Sequence, residues 1–155
     1  ETMTMALSFF RRLGDIANLY SVMICLEPNP TCYGANFMTT SAETAQLVAK
    51  LSQRGTRMQF DTGALTINGE DPFTVLQGCA GLIGHIHASE PNLVPLGDGG
   101  TDHAKMFNAL KNCLPDHVVT IEMLATLNEP HLTSIERALK VAIEHYRSDD
   151  IRPIK

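Results

Sequence analysis

The chain has 155 residues, 44% of them apolar, and a formal net charge of −5. That length sets a prior of one domain spanning 1–155, with enough apolar material for a real core. The acidic balance leaves no general basic footprint for nucleic acid, no apolar run approaches the roughly 18 residues of a membrane span, and no signal peptide opens the chain. Four cysteines (Cys25, Cys32, Cys79, Cys113) are irregularly spaced with no C-x-x-C pair, and Cys25 in a strand pattern and Cys79 near a helix end read as reduced core thiols of a cytoplasmic protein. The opening Glu1-Thr2-Met3 runs straight into a helical pattern and reads as a point inside a longer protein.

In chain order, residues 3–18 place Met5, Phe9, Leu13 and Ile16 at steps of three and four, predicting an amphipathic helix. Val22 to Glu27, closed by Pro28-Asn29-Pro30, predicts a strand buried on both faces. A long loop over 28–39 carries Tyr33 and Phe37, which are read either as an apolar wall or lid over the site or as packing onto the neighbouring helix. Thr40-Ser41-Ala42-Glu43 has the pattern of a capping box, with a helix running to about Gln53 and Gly55 as its stop. Arg57–Asp61 is the second strand. Asp71-Pro72 predicts an N-cap and a short helix to about Cys79, with Glu70 and Asp71 as surface and cap residues.

Leu82–His87 is the third strand, followed by the glycine-rich loop Pro95-Leu96-Gly97-Asp98-Gly99-Gly100. The loop is read as a turn, with a phosphate cradle as its alternative. Asp102 or His103 starts the next helix, and Val118–Glu122 is the fourth strand. Thr133-Ser134-Ile135-Glu136 is a second capping-box pattern opening the last helix, and a loose polar tail follows from Ser148. Met3, Met5, Met23, Met58, Met106 and Met123 read as core filler.

The order α-βα-βα-βα-βα predicts an α/β fold with a parallel sheet covered by helices. Each strand ends in a metal-capable side chain: Glu27, Asp61, His87 and Glu122, at intervals of 34, 26 and 35 residues. Parallel strands joined by helices put their carboxyl ends on one side, so these four groups converge on a divalent-metal site. A complete (β/α)8 TIM barrel takes about 250 residues. Four βα units are therefore half of one, the C-terminal half, or an open sheet. No dinucleotide-binding glycine fingerprint follows a strand.

The segments Cys25-Leu26-Glu27-Pro28-Asn29, Phe60-Asp61-Thr62-Gly63 and Gly84-His85-Ile86-His87 carry a further signal, together with Gly97-Asp98-Gly99-Gly100-Thr101-Asp102 and Thr120-Ile121-Glu122. Over residues 20–146 they resemble the last four units of the xylose isomerase-like superfamily. That group holds sugar and sugar phosphate isomerases and epimerases beside apurinic endonuclease barrels. The resemblance implies that Glu27, Asp61, His87 and Glu122 bind one divalent metal, and that Glu27 and Glu122 are the catalytic acid/base pair on opposite faces of a sugar carbon. Three carboxylates and an imidazole make a hard site, so Mn2+ is expected, with Mg2+, Co2+ or Zn2+ as other candidates. Such a cation acidifies the C–H beside a carbonyl, and a carboxylate removes the proton to give a cis-enediolate. The expected function is thus a metal-dependent sugar isomerase or epimerase.

Where many such epimerases carry a histidine three residues past the metal aspartate, this chain has Ala64. Where they carry an arginine six residues past the metal histidine, it has Leu93. Asn29, His85, Glu90, Asn92, Asp102 and His103 are the weaker substrate-binding candidates. His85 is read first as a core histidine, and Asp102 and His103 as a helix cap and its neighbour. Two alternatives stand beside the isomerase: a phosphodiesterase acting on abasic DNA, and a non-catalytic barrel-derived binding module. A half-barrel is also expected to expose two strand edges and an apolar inner face, and so to self-associate or pair with an N-terminal half.

Overall fold

Hydrophobic and capping signals, read locally, place most elements where they occur. The computed structural model describes residues 1–52 and 55–147, so the expected tail from Ser148 and the expected last turn at Gln53 lie outside the described residues. The order is α1 (Thr2–Leu19), β1 (Ile24–Leu26), α2 (Ser41–Leu51), β2 (Thr56–Asp61), α3 (Thr62–Asn68), α4 (Pro72–Cys79), β3 (Ile83–Ala88), α5 (His103–Cys113), β4 (Val119–Ile121) and α6 (His131–Tyr146). The four strands form one parallel sheet in the order β1-β2-β3-β4. No helix among the described residues is long and apolar enough to cross a membrane.

Alternation along the strands divides the sheet into two chemically different faces. Leu26, Met58, Phe60, Ile83 and Ile86 point outward and pack with Leu47, Val48 and Leu51 of α2, Leu76 of α4, and Met106, Ala109 and Leu110 of α5. Phe60, Met58, Leu47, Leu76 and Ile86 are fully buried, each contributing about 1.5–3 kcal/mol by leaving water. The inner face carries Cys25 and Glu27, then Arg57, Gln59 and Asp61, then His85 and His87, then Thr120 and Glu122. The expected apolar inner face is therefore wrong: the face is polar. Its alternation is masked in the sequence by short strands and by an irregularity opposite Met58 and Gln59, where β3 holds one extra residue. Such a bulge resets which side chains face inward.

The apolar exposure lies at the two lateral edges instead. On α1, the expected core stripe Met5, Phe9 and Ile16 is exposed, and the chain packs through Met3, Ala6, Leu7, Phe10 and the buried Gly14 and Ala17. On α6, Leu132, Ile135, Leu139 and Ile143 form an exposed stripe at helical spacing. Periodicity identifies an apolar face without saying what covers it. Met5 and Met23 are correspondingly exposed rather than core filler.

Smaller departures have local causes. The edge strands β1 and β4 are three residues each, shorter than the apolar runs, because an edge strand ladders on one side only. Helix α3 carries no apolar periodicity and escapes sequence reading; Asp61 caps it by accepting from the Ala64 N–H. Thr40 caps α2 as expected, but Glu43 reaches back to the N–H and hydroxyl of Thr39 rather than closing the box on Thr40. Ser52, at φ 51°, ends α2 ahead of Gly55. Helix α6 starts at His131 behind Pro130, so the second capping-box pattern lies inside the helix, where Ser134 is buried. Glu70 is drawn inward to accept from the Ser41 N–H and hydroxyl.

Candidate metal centre

Glu27 and Glu122 follow their strands, Asp61 closes β2 and His87 is the penultimate residue of β3, and the sheet brings them together at its carboxyl edge. One ligand atom from each lies within 4.8 Å of every other. His87 comes opposite Asp61 through the β2–β3 register, and Glu122 follows β4, where Thr120 pairs with His87. The His87 Nδ1 stands 2.9 Å from Glu122 Oε2, 3.8 Å from Asp61 Oδ2 and 3.9 Å from Glu27 Oε1.

Protein groups do not balance this cluster. Asp61 Oδ1 accepts from the Ala64 N–H at 2.7 Å and the Ser89 hydroxyl at 2.8 Å. Asp61 Oδ2 faces the centre, and among the described residues it is the buried side-chain polar atom with no hydrogen-bond partner. An orphaned carboxylate oxygen calls for an explanation, and a cation between four acceptor groups supplies one. Burial, then the charges of Asp61 and Glu122, push Glu27 up to about 7 against the opposing pull of His87. Burial likewise raises Asp61, outweighing its two donors. The donor set is oxygen-rich and hard, of the kind Mn2+, Mg2+ and Co2+ prefer, so these residues fit a divalent cation.

Gln59 belongs to the site and was missed in the sequence. Its amide donates to Glu27 Oε1 at 2.6 Å and approaches His87 Nδ1 at 2.8 Å. The Gln59 and Glu122 contacts ask opposite tautomers of Nδ1, which would accept from the amide but donate to the carboxylate. The available signal was the two-residue step from Gln59 to Asp61, which puts both on one strand face.

The remaining candidates separate by position. Asn29 lines a cavity of about 280 Å³ over the cluster, with Glu27, Pro28, Tyr33, Asp61, Ala64, Leu93 and Glu122. His85 sits one layer below, its ring edge-on to His87 at 4.7 Å, and lies outside the four-residue group. Asn92 is exposed, and its N–H donates to the Tyr33 hydroxyl at 2.7 Å, tying two loops across the cavity mouth. Phe37 packs on the helical core, the second of its two expected placements. Asp102 is the N-cap of α5.

Glu90 and His103 are engaged with each other, and His103 opens α5 beside its Asp102 cap as expected. Glu90 is 1% exposed despite lining the cavity wall; it accepts from the N–H groups of Gly97 and Thr101 and pairs with His103 Nε2 at 2.9 Å. His103 Nδ1 meets the Tyr146 hydroxyl at 2.7 Å. Burial alone would raise Glu90, but the Thr101 hydroxyl and these other donors outweigh it and hold the carboxyl below its ordinary value. The glycine-rich loop therefore wraps an internal carboxylate, not a phosphate. Gly99 is required there, since an added Cβ would come 2.7 Å from Glu90 Cβ and Oε2. Glu90→Ala is expected to lose about 3–5 kcal/mol in denaturant unfolding, because it strands the buried His103 and the buried Thr101 N–H; a loss below about 1 kcal/mol would contradict this account.

Comparison with known proteins gives the same outline. Inosose dehydratase from Lacticaseibacillus casei is 30% identical over 101 residues, covering 65% of this chain and 33% of its own length. A D-psicose 3-epimerase structure superposes with a TM-score of 0.76 at 17% identity, over 92% of this chain and 55% of that one. The zinc-bound IOLI protein does so with a TM-score of 0.72 at 20% identity, over 93% and 56%. The chain thus spans a third of that curated relative and about half of each barrel. The family model of the xylose isomerase-like TIM barrel matches residues 1–148, almost the whole chain. These four parallel βα units belong to the xylose isomerase-like TIM-barrel family.

Proposed function

We propose that this chain carries the metal-binding half of an enzyme that moves a proton on a carbon next to a sugar carbonyl, as an epimerase or isomerase does. The observation that carries the reading is the unpartnered Asp61 Oδ2, aimed among the acceptor atoms of Glu27, His87 and Glu122. These four residues would hold one divalent cation, Mn2+ first, with Mg2+, Co2+ and Zn2+ as alternatives. When bound, it would polarise a carbonyl and its neighbouring hydroxyl. Glu27 and Glu122, which follow the first and last strands, would take a proton from one face of the carbon and return it from the other through a cis-enediolate of the substrate. The D-psicose 3-epimerase likeness agrees with this reading.

The cavity favours a neutral sugar over a sugar phosphate. Among the described residues that line it none is lysine or arginine, and Ala64, Leu93 and Pro28 present apolar surface. The inosose dehydratase match supports a second reading. The same proton removal followed by loss of the hydroxyl on the next carbon would make the enzyme a dehydratase. Incubating the metal-loaded protein in deuterium oxide with neutral ketoses and inososes decides between them. Deuterium in recovered or epimerised sugar supports the first reading and a dehydrated product the second. Neither product from any sugar would sink both. The phosphodiesterase alternative is not favoured: the sole metal-capable group of three or more side chains among the described residues is this one cluster, and His103 is committed to Glu90.

The exposed stripes on α1 and α6 flank the unpaired edges of β1 and β4, where four further βα units would complete a barrel. The chain alone is expected to associate through them. Sedimentation velocity should show dimers or larger species that Phe9→Glu with Leu139→Glu reduces; a monomer at tens of micromolar would refute this.

A further inference from the structure

We propose that Ser89 is a positioning residue that selects which oxygen of Asp61 faces the cation, so that Asp61 binds through Oδ2 alone. The inference rests on the metal reading of the site and extends it to a residue that is not itself a ligand. Ser89 follows β3 directly and is fully buried. Its hydroxyl accepts from the Gly63 N–H at 2.9 Å, which leaves its single proton for Asp61 Oδ1 at 2.8 Å. The chain of donors therefore runs one way, from Gly63 through Ser89 to Asp61.

With the Ala64 N–H as a second donor at 2.7 Å, Oδ1 is engaged twice and Oδ2 not at all. Turning the carboxylate to offer both oxygens would strand two buried donors. A carboxylate that binds through one oxygen takes one coordination position instead of two.

The device is locked from the backbone as well. The Ser89 N–H donates to Thr62 Oγ1 at 2.8 Å, and that hydroxyl donates to the Ser89 carbonyl at 2.8 Å, fastening the end of β3 to the β2–α3 turn. The approach needs glycine at 63, where a Cβ would lie 2.7 Å from Ser89 Oγ and 2.8 Å from the Glu90 carbonyl. Asp61-Thr62-Gly63-Ala64 and Ser89 thus act as one assembly. Outer partners of this kind orient metal ligands, and their loss typically weakens binding about 10–100-fold.

The test uses the full chain, with Mn2+ affinity read from the paramagnetic resonance of free ion and geometry from the visible spectrum of bound Co2+. Ser89→Ala should weaken Mn2+ binding about tenfold or more and alter the Co2+ spectrum. Thr101→Val, which removes a buried hydroxyl 3.4 Å from the Ser89 carbonyl without touching Asp61, should change neither. If Ser89→Ala does not melt cooperatively, Ser89→Cys keeps the volume with a poorer donor and should show a smaller loss of the same kind. Parent-like affinity and spectrum in the folded variant overturn the inference alone. A parent chain that binds no Mn2+ overturns the metal reading and this inference with it.

Discussion

Glu122→Gln and Glu27→Gln should each cut solvent-deuterium exchange into a substrate sugar by about 10²–10⁴-fold at saturating metal. Glutamine keeps the shape of the side chain and removes its capacity to take a proton. The change also deletes a cation ligand, so exchange must be measured where metal titration shows the site filled. A loss confined to kcat there marks a proton-transfer role, whereas a loss that added metal restores marks a ligand role only. Full exchange in either variant at saturating metal would remove that glutamate from the acid/base pair.

Mn2+ affinity should fall steeply below pH 7, approaching tenfold per unit, with one proton released per ion bound. The sign follows from Glu27. Burial and the nearby carboxylates of Asp61 and Glu122 raise it from the ordinary 4.5 to about 7, so below that pH the free chain holds the proton that a cation must displace. Linkage gives a companion effect on folding. Between 4.5 and 7 the folded metal-free chain binds more protons than the unfolded one, so its stability falls as pH rises through that window. Bound metal should reverse the trend. Nearly half of the Glu27 side chain is exposed, so the stability effect is screened and modest. Titrations from pH 5 to 8 with proton release measured in parallel check both; a flat affinity across that range would refute the account.

Much of the fold was legible because its signals are local. Apolar runs ending at Glu27, Asp61, His87 and Glu122, separated by helix-length intervals, are enough for a parallel sheet with four polar tips on one side. The caps at Thr40, Asp71 and Asp102 are written within four residues of the helices they start. The roles given to the four tips came from the family resemblance, since spacing alone names no ligand. The α1 stripe shows the boundary: Phe9 and Phe10 are adjacent and equally apolar, yet Phe10 packs on the core and Phe9 is exposed.

By itself the sequence determined the α/β class, the order of the elements other than α3 and the convergence of four side chains, because each follows from periodicity, capping and the one-sidedness of parallel strands. Only the tertiary structure decided which neighbours those side chains keep. Gln59 reaches Glu27 across 32 positions, Ser89 reaches Asp61 across 28, and Glu90 spends its charge on the loop up to Thr101 and on His103. Those contacts depend on strand register, on the extra residue in β3 and on how closely Gly63 lets two turns approach. They are properties of pairing between distant segments, and a local pattern along the chain does not encode them.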